Sequence, residues 1–151
     1  MGYGEIVSRL SASTGGDRSS PNDFFVEVAP SVAAVPDVRR AFVAWLWALD
    51  DEVVRELEIV FSELVTNAVQ AAQDASVAVV VRARRDVGVV TLEVVNATTT
   101  HWDLNRHAGA GDQLRSSGRG LMIVEALVDD LQVSRTGAEI TVRCSRRIDP
   151  T

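Results

Sequence analysis

Two valine-rich segments, residues 76–83 and 87–96, restrict the possible folds of this chain more than any other feature of the sequence. β-branched side chains pack well on a pleated sheet, and both segments are rich in them. A short charged stretch, Arg84 to Asp86, and Gly88 separate the two segments, which is the composition of a tight turn. The sequence therefore predicts an antiparallel β-hairpin in the middle of the chain.

Three further segments have the composition of strands. Residues 23–29 are aromatic and β-branched, and Pro30 ends the run. Residues 131–135 and 139–146 lie on either side of a turn at Gly137 and predict a second hairpin. We therefore expect five strands, four of which form two hairpins.

Three segments show the apolar spacing of amphipathic helices. The first follows Pro36, a residue favoured in the first turn of a helix. The second follows Asp50, a suitable N-cap residue, and extends to about residue 72, and the third covers 118–128. In the first helix, Trp45 and Trp47 cannot both face the core. The expected inward stripes comprise Val38, Phe42, Trp45, Leu46 and Leu49 in the first helix and Val53, Leu57, Val60, Leu64 and Ala68 in the second.

Hairpins interspersed with helices favour an α+β fold, a two-layer α/β sandwich, over a doubly wound parallel sheet. We expect a mixed, mostly antiparallel sheet that is covered on one face by about three helices. A chain of 151 residues buries roughly 68–70% of its unfolded surface, so a single domain needs neither a disulfide nor a structural metal. The single Cys144 cannot form an internal disulfide in any case.

The expected domain covers residues 23–147, between a flexible N-terminal tail, 1–22, and a short C-terminal tail, 148–151. The tail prediction rests on the small, polar, glycine- and serine-rich composition of residues 11–22. Residues 97–117 show no sustained periodicity and are too many for a plain connector, so we expect a functional loop or lid there.

All basic residues of the chain are arginines, and this excludes several chemistries. Without lysine there is no Walker A phosphate loop, no Schiff-base nucleophile and no Ser-Lys dyad. The formal net charge of -6 argues against general electrostatic binding of nucleic acid. The sequence also lacks a signal-peptide pattern and a membrane-spanning apolar run, so we expect a cytoplasmic protein with no membrane association.

Glu63 and Asn67 lie four residues apart in the second predicted helix and therefore project from one face. A carboxylate that can act as a general base beside an amide oxygen that can bind Mg²⁺ suits phosphoryl transfer. The alternative is a solvated polar face, because the same helix also carries other glutamates.

A second motif, Gly118-Arg119-Gly120, opens the third predicted helix. Glycines let the backbone approach an anion, and the free N–H groups of a helix start bind phosphate without a lysine. The alternative is a flexible hinge that joins a loop to a packing helix.

The two motifs, in this order and with a hairpin between them, resemble the ATP-binding domain of the gyrase and histidine-kinase superfamily, the Bergerat fold. The resemblance is closest to the bacterial anti-sigma factor serine kinases and their actinobacterial relatives. That family has an E-x-x-x-N box, matched here by Glu63 and Asn67, and a G-x-G helix start, matched by Gly118 and Gly120. The resemblance covers roughly residues 23–146.

The resemblance implies that Asn67 holds Mg²⁺ on the phosphates of ATP and that Glu63 activates the attacking hydroxyl. It also implies backbone contacts from the G-x-G motif to the phosphates. The residues expected to bind the cofactor are Asn67, Asn96, Gly118, Arg119, Gly120, Leu121 and Thr141.

The adenine end departs from the family pattern. Asn96 stands where the family has an aspartate that reads adenine, and the two glycines that follow the aspartate in the family are absent. An amide is a weaker, neutral acceptor than a carboxylate. The family's Gly-Thr pair corresponds here to Glu139 and Ile140, and Thr141 can replace that threonine if the register shifts by one residue.

The resemblance implies an anti-sigma-factor-like regulatory protein that binds ATP and Mg²⁺ and phosphorylates a serine on an anti-anti-sigma partner. Its partners would be a sigma factor, a phosphorylatable antagonist, or both, with a homodimer as a further expectation. The alternative is a non-catalytic interaction module that keeps the fold but not nucleotide binding. An unrelated α+β binding domain would require both motifs to be coincidental.

Three further groups of residues are weaker candidates. A metal cluster in the predicted loop matches no ligand spacing, and a solvated lid is the alternative. The arginines of the last strand are expected to be solvated, and Cys144 to be a strand residue without a catalytic partner. The loop residues are His101, Asp103, His107 and Asp112, and the arginines are Arg143, Arg146 and Arg147.

Overall fold

The computed structural model describes residues 20–73, 76–97 and 120–149. In these residues the chain forms five strands, three α-helices and one short 3-10 helix. In chain order they are β1 (Asp23–Val28), the 3-10 helix (Val32–Ala34), α1 (Val35–Trp45), α2 (Asp51–Ala72), β2 (Val79–Asp86), β3 (Val89–Ala97), α3 (Gly120–Leu127), β4 (Asp130–Thr136) and β5 (Glu139–Arg147). Residues 1–19 of the predicted N-terminal tail and residues 98–117 of the predicted loop lie outside the described residues.

The five strands form one sheet in the order β1-β2-β3-β5-β4, and each neighbouring pair is antiparallel. The predicted α+β fold class is therefore confirmed, and the described part of the sheet contains no parallel pair. Both hairpin turns use a glycine with positive φ, +77° at Gly88 and +62° at Gly137, a conformation that only glycine adopts without strain.

The turn of the first hairpin is shorter than the sequence predicted. Arg84 to Asp86 belong to β2 and not to the turn, which consists of Val87 and Gly88. Arg84 pairs with Asp23 of β1, and its neighbour Arg85 pairs with Val90 of β3. Pairing with strands on both sides holds this charged stretch in the sheet, which overrides its low strand propensity.

One face of the sheet is buried and the other is open. In β3, the residues Val90, Leu92, Val94 and Asn96 are buried, and the residues between them are only partly buried. This alternation is the signature of a strand that is covered on one side. The helices pack on the buried face, with α1 against β1 and α2 against β2 and β3. We call this the inner face.

The predicted inward stripe of α2 is largely confirmed. Leu57, Val60, Leu64 and Ala68 are buried, while Val53 is partly buried at the edge of the core. Asp50 precedes the helix in an extended conformation, as an N-cap residue does.

Aromatic side chains join β1, α1 and α2 into one core. The rings of Phe42 and Phe61 are stacked with centroids 4.4 Å apart, and Phe24 meets both rings edge-on. Trp45 packs against Phe24 at 5.7 Å, whereas Trp47 is 80% exposed. The expectation that only one of these tryptophans faces inward is confirmed.

Pro21, just before β1, contacts side chains of both α1 and β2. The carbonyl oxygen of Pro21 accepts hydrogen bonds from Trp45 Nε1 (3.0 Å) and Arg85 Nη2 (3.3 Å). The Arg85 guanidinium also lies over the Trp45 ring, 5.0 Å from its centroid. These contacts attach the entry to β1 to both α1 and β2.

Candidate functional site

Two rows of paired residues mark the opposite ends of the inner face. At one end Val90 of β3 pairs with Arg146 of β5, and at the other Asn96 of β3 pairs with Ile140 of β5. We call them the arginine row and the asparagine row. They lie about 20 Å apart, because six residues of a strand separate them at about 3.4 Å each.

Two contacts fix the direction of α2 across these rows. Near its start, Glu56 Oε2 accepts hydrogen bonds from Arg146 Nη2 (2.8 Å) and Nε (3.0 Å). One and a half turns later, the ring of Phe61 lies 6.3 Å from Phe24, whose cross-strand row contains Leu92. The helix therefore runs from the arginine row toward the asparagine row.

This direction brings Asn67 close to the asparagine row. Asn67 lies about 9 Å beyond Phe61 along the helix axis, at about 1.5 Å per residue. The asparagine row lies about 14 Å beyond Leu92 by the strand spacing. Asn67 is therefore level with the space between the Val94–Val142 pair and the asparagine row.

Glu63 shares a stripe of α2 with Glu56 and Asn67. Seven residues turn an α-helix by almost two full turns, so Glu63 projects in nearly the same direction as Glu56, which contacts β5. Glu63 and Asn67 are both partly buried. The structure therefore places the two predicted residues on the stripe of α2 that also carries Glu56.

The third helix reaches the same side of α2. Its C-terminal end is held at β5, because the N–H of Asp129 donates to the carbonyl oxygen of Ser145 (2.8 Å). The N–H of Arg147 also donates to Asp129 Oδ2 (2.6 Å). α3 packs against α2. Because α2 begins only about one turn before Glu56, it offers α3 little surface on that side of Glu56. With its C-terminal end held at β5, α3 therefore starts on the Asn67 side.

The predicted glycine motif is only partly described. Gly120 is buried as the first residue of α3, and Leu121 is partly buried against the core. Gly118 and Arg119 lie outside the described residues, as do the four residues proposed for a loop metal cluster. Their predicted roles stay predictions.

The asparagine row contains a buried amide that faces an apolar side chain. Asn96 is 4% exposed and Ile140, directly opposite, is 5% exposed. Asn96 Nδ2 is shielded from solvent and has no hydrogen-bond acceptor in the described part of the chain. The inner face thus presents an unpaired donor at the end where Asn67 lies.

Thr141 does not reach this row. It pairs with Val95, and both residues point to the open face of the sheet, because side chains alternate along a strand. A shift of one residue would be needed to exchange Ile140 for Thr141, and it would also turn the core residues Val142 and Cys144 outward. The structure therefore does not place Thr141 with the other predicted cofactor-binding residues.

Arg146 was not recognised from the sequence as an inward residue. Arg143 and Arg147 are exposed, as expected. The prediction that Arg146 is solvated is wrong, because its side chain is only 26% exposed and pairs with Glu56. The signal was present in the alternation of β5, since Val142, Cys144 and Arg146 lie on one face.

Cys144 lies on the inner face between the two rows, two residues from Arg146 and four from Ile140. It is 2% exposed, and burial raises the pKa of its thiol to about 12. A thiol with so high a pKa stays protonated at neutral pH and is a poor nucleophile. The expectation that Cys144 is a strand residue is confirmed, since it lies in β5.

A family model for the histidine kinase-like ATPase domain matches residues 28–145, most of the chain. The chain belongs to this family. The matched range contains Glu63, Asn67, Asn96 and Gly120, and the membership confirms the Bergerat-type resemblance that the motifs indicated. The ATPase-domain family also accounts for an antiparallel sheet with its helices on one face.

Among solved structures, the chain is similar to the RsbU and RsbW domains of Rv1364c from Mycobacterium tuberculosis. The TM-score is 0.64, the sequences are 22% identical, and the similarity covers 85% of this chain. The chain spans only about a third of that structure's chain (33%). No curated protein matches significantly.

No helix in residues 20–73, 76–97 and 120–149 is both long and apolar enough to cross a membrane. No group of three or more His, Cys, Asp or Glu residues in the same ranges could hold a metal ion.

Proposed function

We propose that this chain is an anti-sigma-factor-like regulatory protein that binds ATP with Mg²⁺ and phosphorylates a serine of an anti-anti-sigma partner. The observation that carries the proposal is the placement of Glu63 and Asn67. Both lie on the stripe of α2 that runs toward the buried amide of Asn96. Membership of the histidine kinase-like ATPase family supports a nucleotide as the ligand.

The residues at this end of the inner face fit a nucleotide with its metal ion. The side-chain oxygen of Asn67 is a suitable ligand for Mg²⁺, which prefers oxygen and retains several waters. At the other end of the ligand, the unpaired Nδ2 of Asn96 offers a polar contact to a base, and Ile140 offers an apolar surface. Bound Mg²⁺ would neutralise charge on the phosphate oxygens.

Each protein group then has one task. Glu63 would accept the proton of the attacking serine hydroxyl, and Asn67 would hold the Mg²⁺ that supplies charge neutralisation. The backbone N–H groups at the start of α3 bind phosphate oxygens, since the chain has no lysine for this purpose. Positioning and charge neutralisation supply most of the rate enhancement in phosphoryl transfer.

The regulatory role is supported by the fold similarity to the RsbU and RsbW domains of Rv1364c. We propose by analogy that this chain also acts on regulatory protein partners, in the cytoplasm, and that phosphorylation of the antagonist controls the release of a sigma factor. Pairing into a homodimer is part of the same proposal.

A second candidate function is a non-catalytic interaction module, and the asparagine row favours it. A neutral amide beside Ile140 is a weaker adenine site than a carboxylate supported by a hydroxyl. In this case the chain would bind its protein partner without nucleotide.

Calorimetric titration of the purified protein with ATP and ADP, with and without Mg²⁺, separates the two functions. Binding of ATP that weakens when Mg²⁺ is removed supports the kinase. Asn67→Ala should lose most of this metal dependence, whereas Glu93→Gln, on the open face, should not change it. If millimolar nucleotide produces neither heat nor a thermal shift, the interaction module is the better assignment.

A transfer assay then tests Glu63. With labelled ATP and a serine-containing antagonist protein, Glu63→Gln should abolish transfer while nucleotide affinity stays within about twofold of wild type, since the residue acts on the proton and not on binding. An unchanged transfer rate would contradict its assignment as the base.

A further inference from the structure

Asn96 is the most unusual residue of the core. Within residues 20–73, 76–97 and 120–149 it is the one polar side chain among the buried residues. Its Nδ2 finds no acceptor in the same ranges. Native proteins seldom leave a buried donor unpaired, because the lost hydrogen bonds to water are not replaced.

The inner-face neighbours of Asn96 on β3 and β5 offer no acceptor from their side chains. Ile140 lies directly opposite, and the next inner-face pair toward the core is Val94 with Val142. All three neighbours are buried and apolar. The donor is therefore oriented in an apolar setting next to the end of β3, close to the level of Asn67.

We propose that Asn96 makes this site accept 6-oxopurine nucleotides, those of guanine or hypoxanthine, as readily as adenine nucleotides. The inference rests on the proposed function, because it assumes that a purine nucleotide occupies the site. It adds the base selectivity, which follows from the chemistry of the amide.

The argument compares an amide with a carboxylate at this position. The amide carries both a donor and an acceptor, so Nδ2 can donate to O6 of a 6-oxopurine while Oδ1 accepts from N1–H. After a flip of the amide, Oδ1 can accept from the 6-amino group of adenine while Nδ2 donates to N1. An ionised carboxylate has acceptors only, so it pairs with the 6-amino group and repels O6.

A ligand series on the wild-type protein tests the proposal. The base of ITP is a 6-oxopurine, that of ATP is a 6-aminopurine, and purine riboside triphosphate has hydrogen at position 6. By calorimetry with Mg²⁺ present, ATP and ITP should bind within about threefold of each other. Purine riboside triphosphate should bind about tenfold more weakly, since it leaves part of the amide unpaired.

The variant Asn96→Asp gives the second test. It should shift the ratio of ITP to ATP dissociation constants by at least about tenfold in favour of ATP, since the carboxylate faces O6. Glu93→Gln is the matched control on the same strand, because its side chain lies on the open face. It should leave the ratio unchanged.

The ligand series uses only the wild-type protein. The proposal can therefore be tested even if Asn96→Asp fails to fold. Equal affinities for ATP and ITP support the proposal. A wild-type preference for ATP of more than about tenfold overturns the base selectivity but leaves the proposed function standing. If neither nucleotide binds, the proposed function fails as well, and this inference fails with it.

Discussion

Each end of the inner face holds a polar side chain at the boundary of the core. The two side chains differ in whether they have a partner within the described residues. At the arginine row, Arg146 finds Glu56 across the layer at 2.8 Å, so two partly buried charges neutralise each other. At the asparagine row, Asn96 Nδ2 has no partner among the described residues. In the first arrangement, two charges of the chain itself pair across the layers. The second leaves hydrogen-bonding capacity for a ligand.

This difference agrees with the position of the candidate site. Glu63 and Asn67 follow Glu56 along the same stripe of α2, so the ion pair stands at the start of a polar stripe that leads toward the candidate site. At this start, the carboxylate of Glu56 is paired with Arg146. At the opposite end of the inner face, where a base is proposed to bind, Asn96 Nδ2 has no acceptor among the described residues.

The largest expected effect comes from breaking the ion pair. Arg146→Ala leaves Glu56 partly buried without its cation and should lower the free energy of unfolding by about 2 kcal/mol, between the values for exposed and fully buried pairs. Urea unfolding measures this change in the free energy of unfolding. The matched control is Glu93→Gln, which removes the exposed pair with Arg82 at 3.5 Å. A loss no larger than that of the control would show that the arginine row does not hold the layers together.

The asparagine row should respond in the opposite direction. Asn96→Leu replaces an amide whose buried Nδ2 has no acceptor among the described residues by an apolar group of similar size, so it should raise the free energy of unfolding by about 1.5 kcal/mol in the absence of nucleotide. The same change should weaken nucleotide binding. A destabilised variant would mean that the amide has a partner in the folded chain, and the comparison between the two ends would fail.

Cys144, between the two rows, predicts a pH effect. Burial raises its pKa from 9.0 to about 12, so above pH 9 the unfolded thiol ionises while the folded one stays protonated. The unfolded state then binds fewer protons, and stability falls as pH rises from about 9 toward 12. Between pH 8 and pH 10 the loss should be about 1 kcal/mol. It should be absent from Cys144→Val, and equal losses in both proteins would contradict the assignment.

The smallest effect is expected on the open face. Thr141→Val should change the free energy of unfolding by less than about 0.5 kcal/mol, as surface substitutions usually do. Nucleotide affinity should not change, because Thr141 points away from the asparagine row. A loss of nucleotide affinity, measured by calorimetry, would mean that Thr141 and not Ile140 lies opposite Asn96 in solution.

Local sequence patterns were sufficient to predict the helices and strands. The bounds of α2 and most of its inward stripe follow from helical spacing after Asp50, and the strands follow from runs of β-branched residues ended by glycine turns. The pairing of Glu63 with Asn67 on one face follows from helix geometry alone. These features depend on residues that are close in sequence, and they can therefore be predicted from it.

Contacts between distant segments could not be predicted in this way. Arg84 to Asp86 have turn-like composition, yet pairing with β1 keeps them in β2. Arg146 has the composition of a solvated strand end, yet Glu56, far away in sequence, makes it an inward residue. In both cases a partner on another element overrides the local preference.

The sequence alone determined the α+β class, the order of the elements and the polar residues of α2, because periodicity and turn chemistry are local properties. Tertiary structure decided which end of the sheet those polar residues approach. It also decided that Ile140 rather than Thr141 stands opposite Asn96, and that the buried Nδ2 of Asn96 has no acceptor among the described residues. The physical reason is strand register, since a shift of one residue exchanges the two faces of a strand while its local composition stays the same.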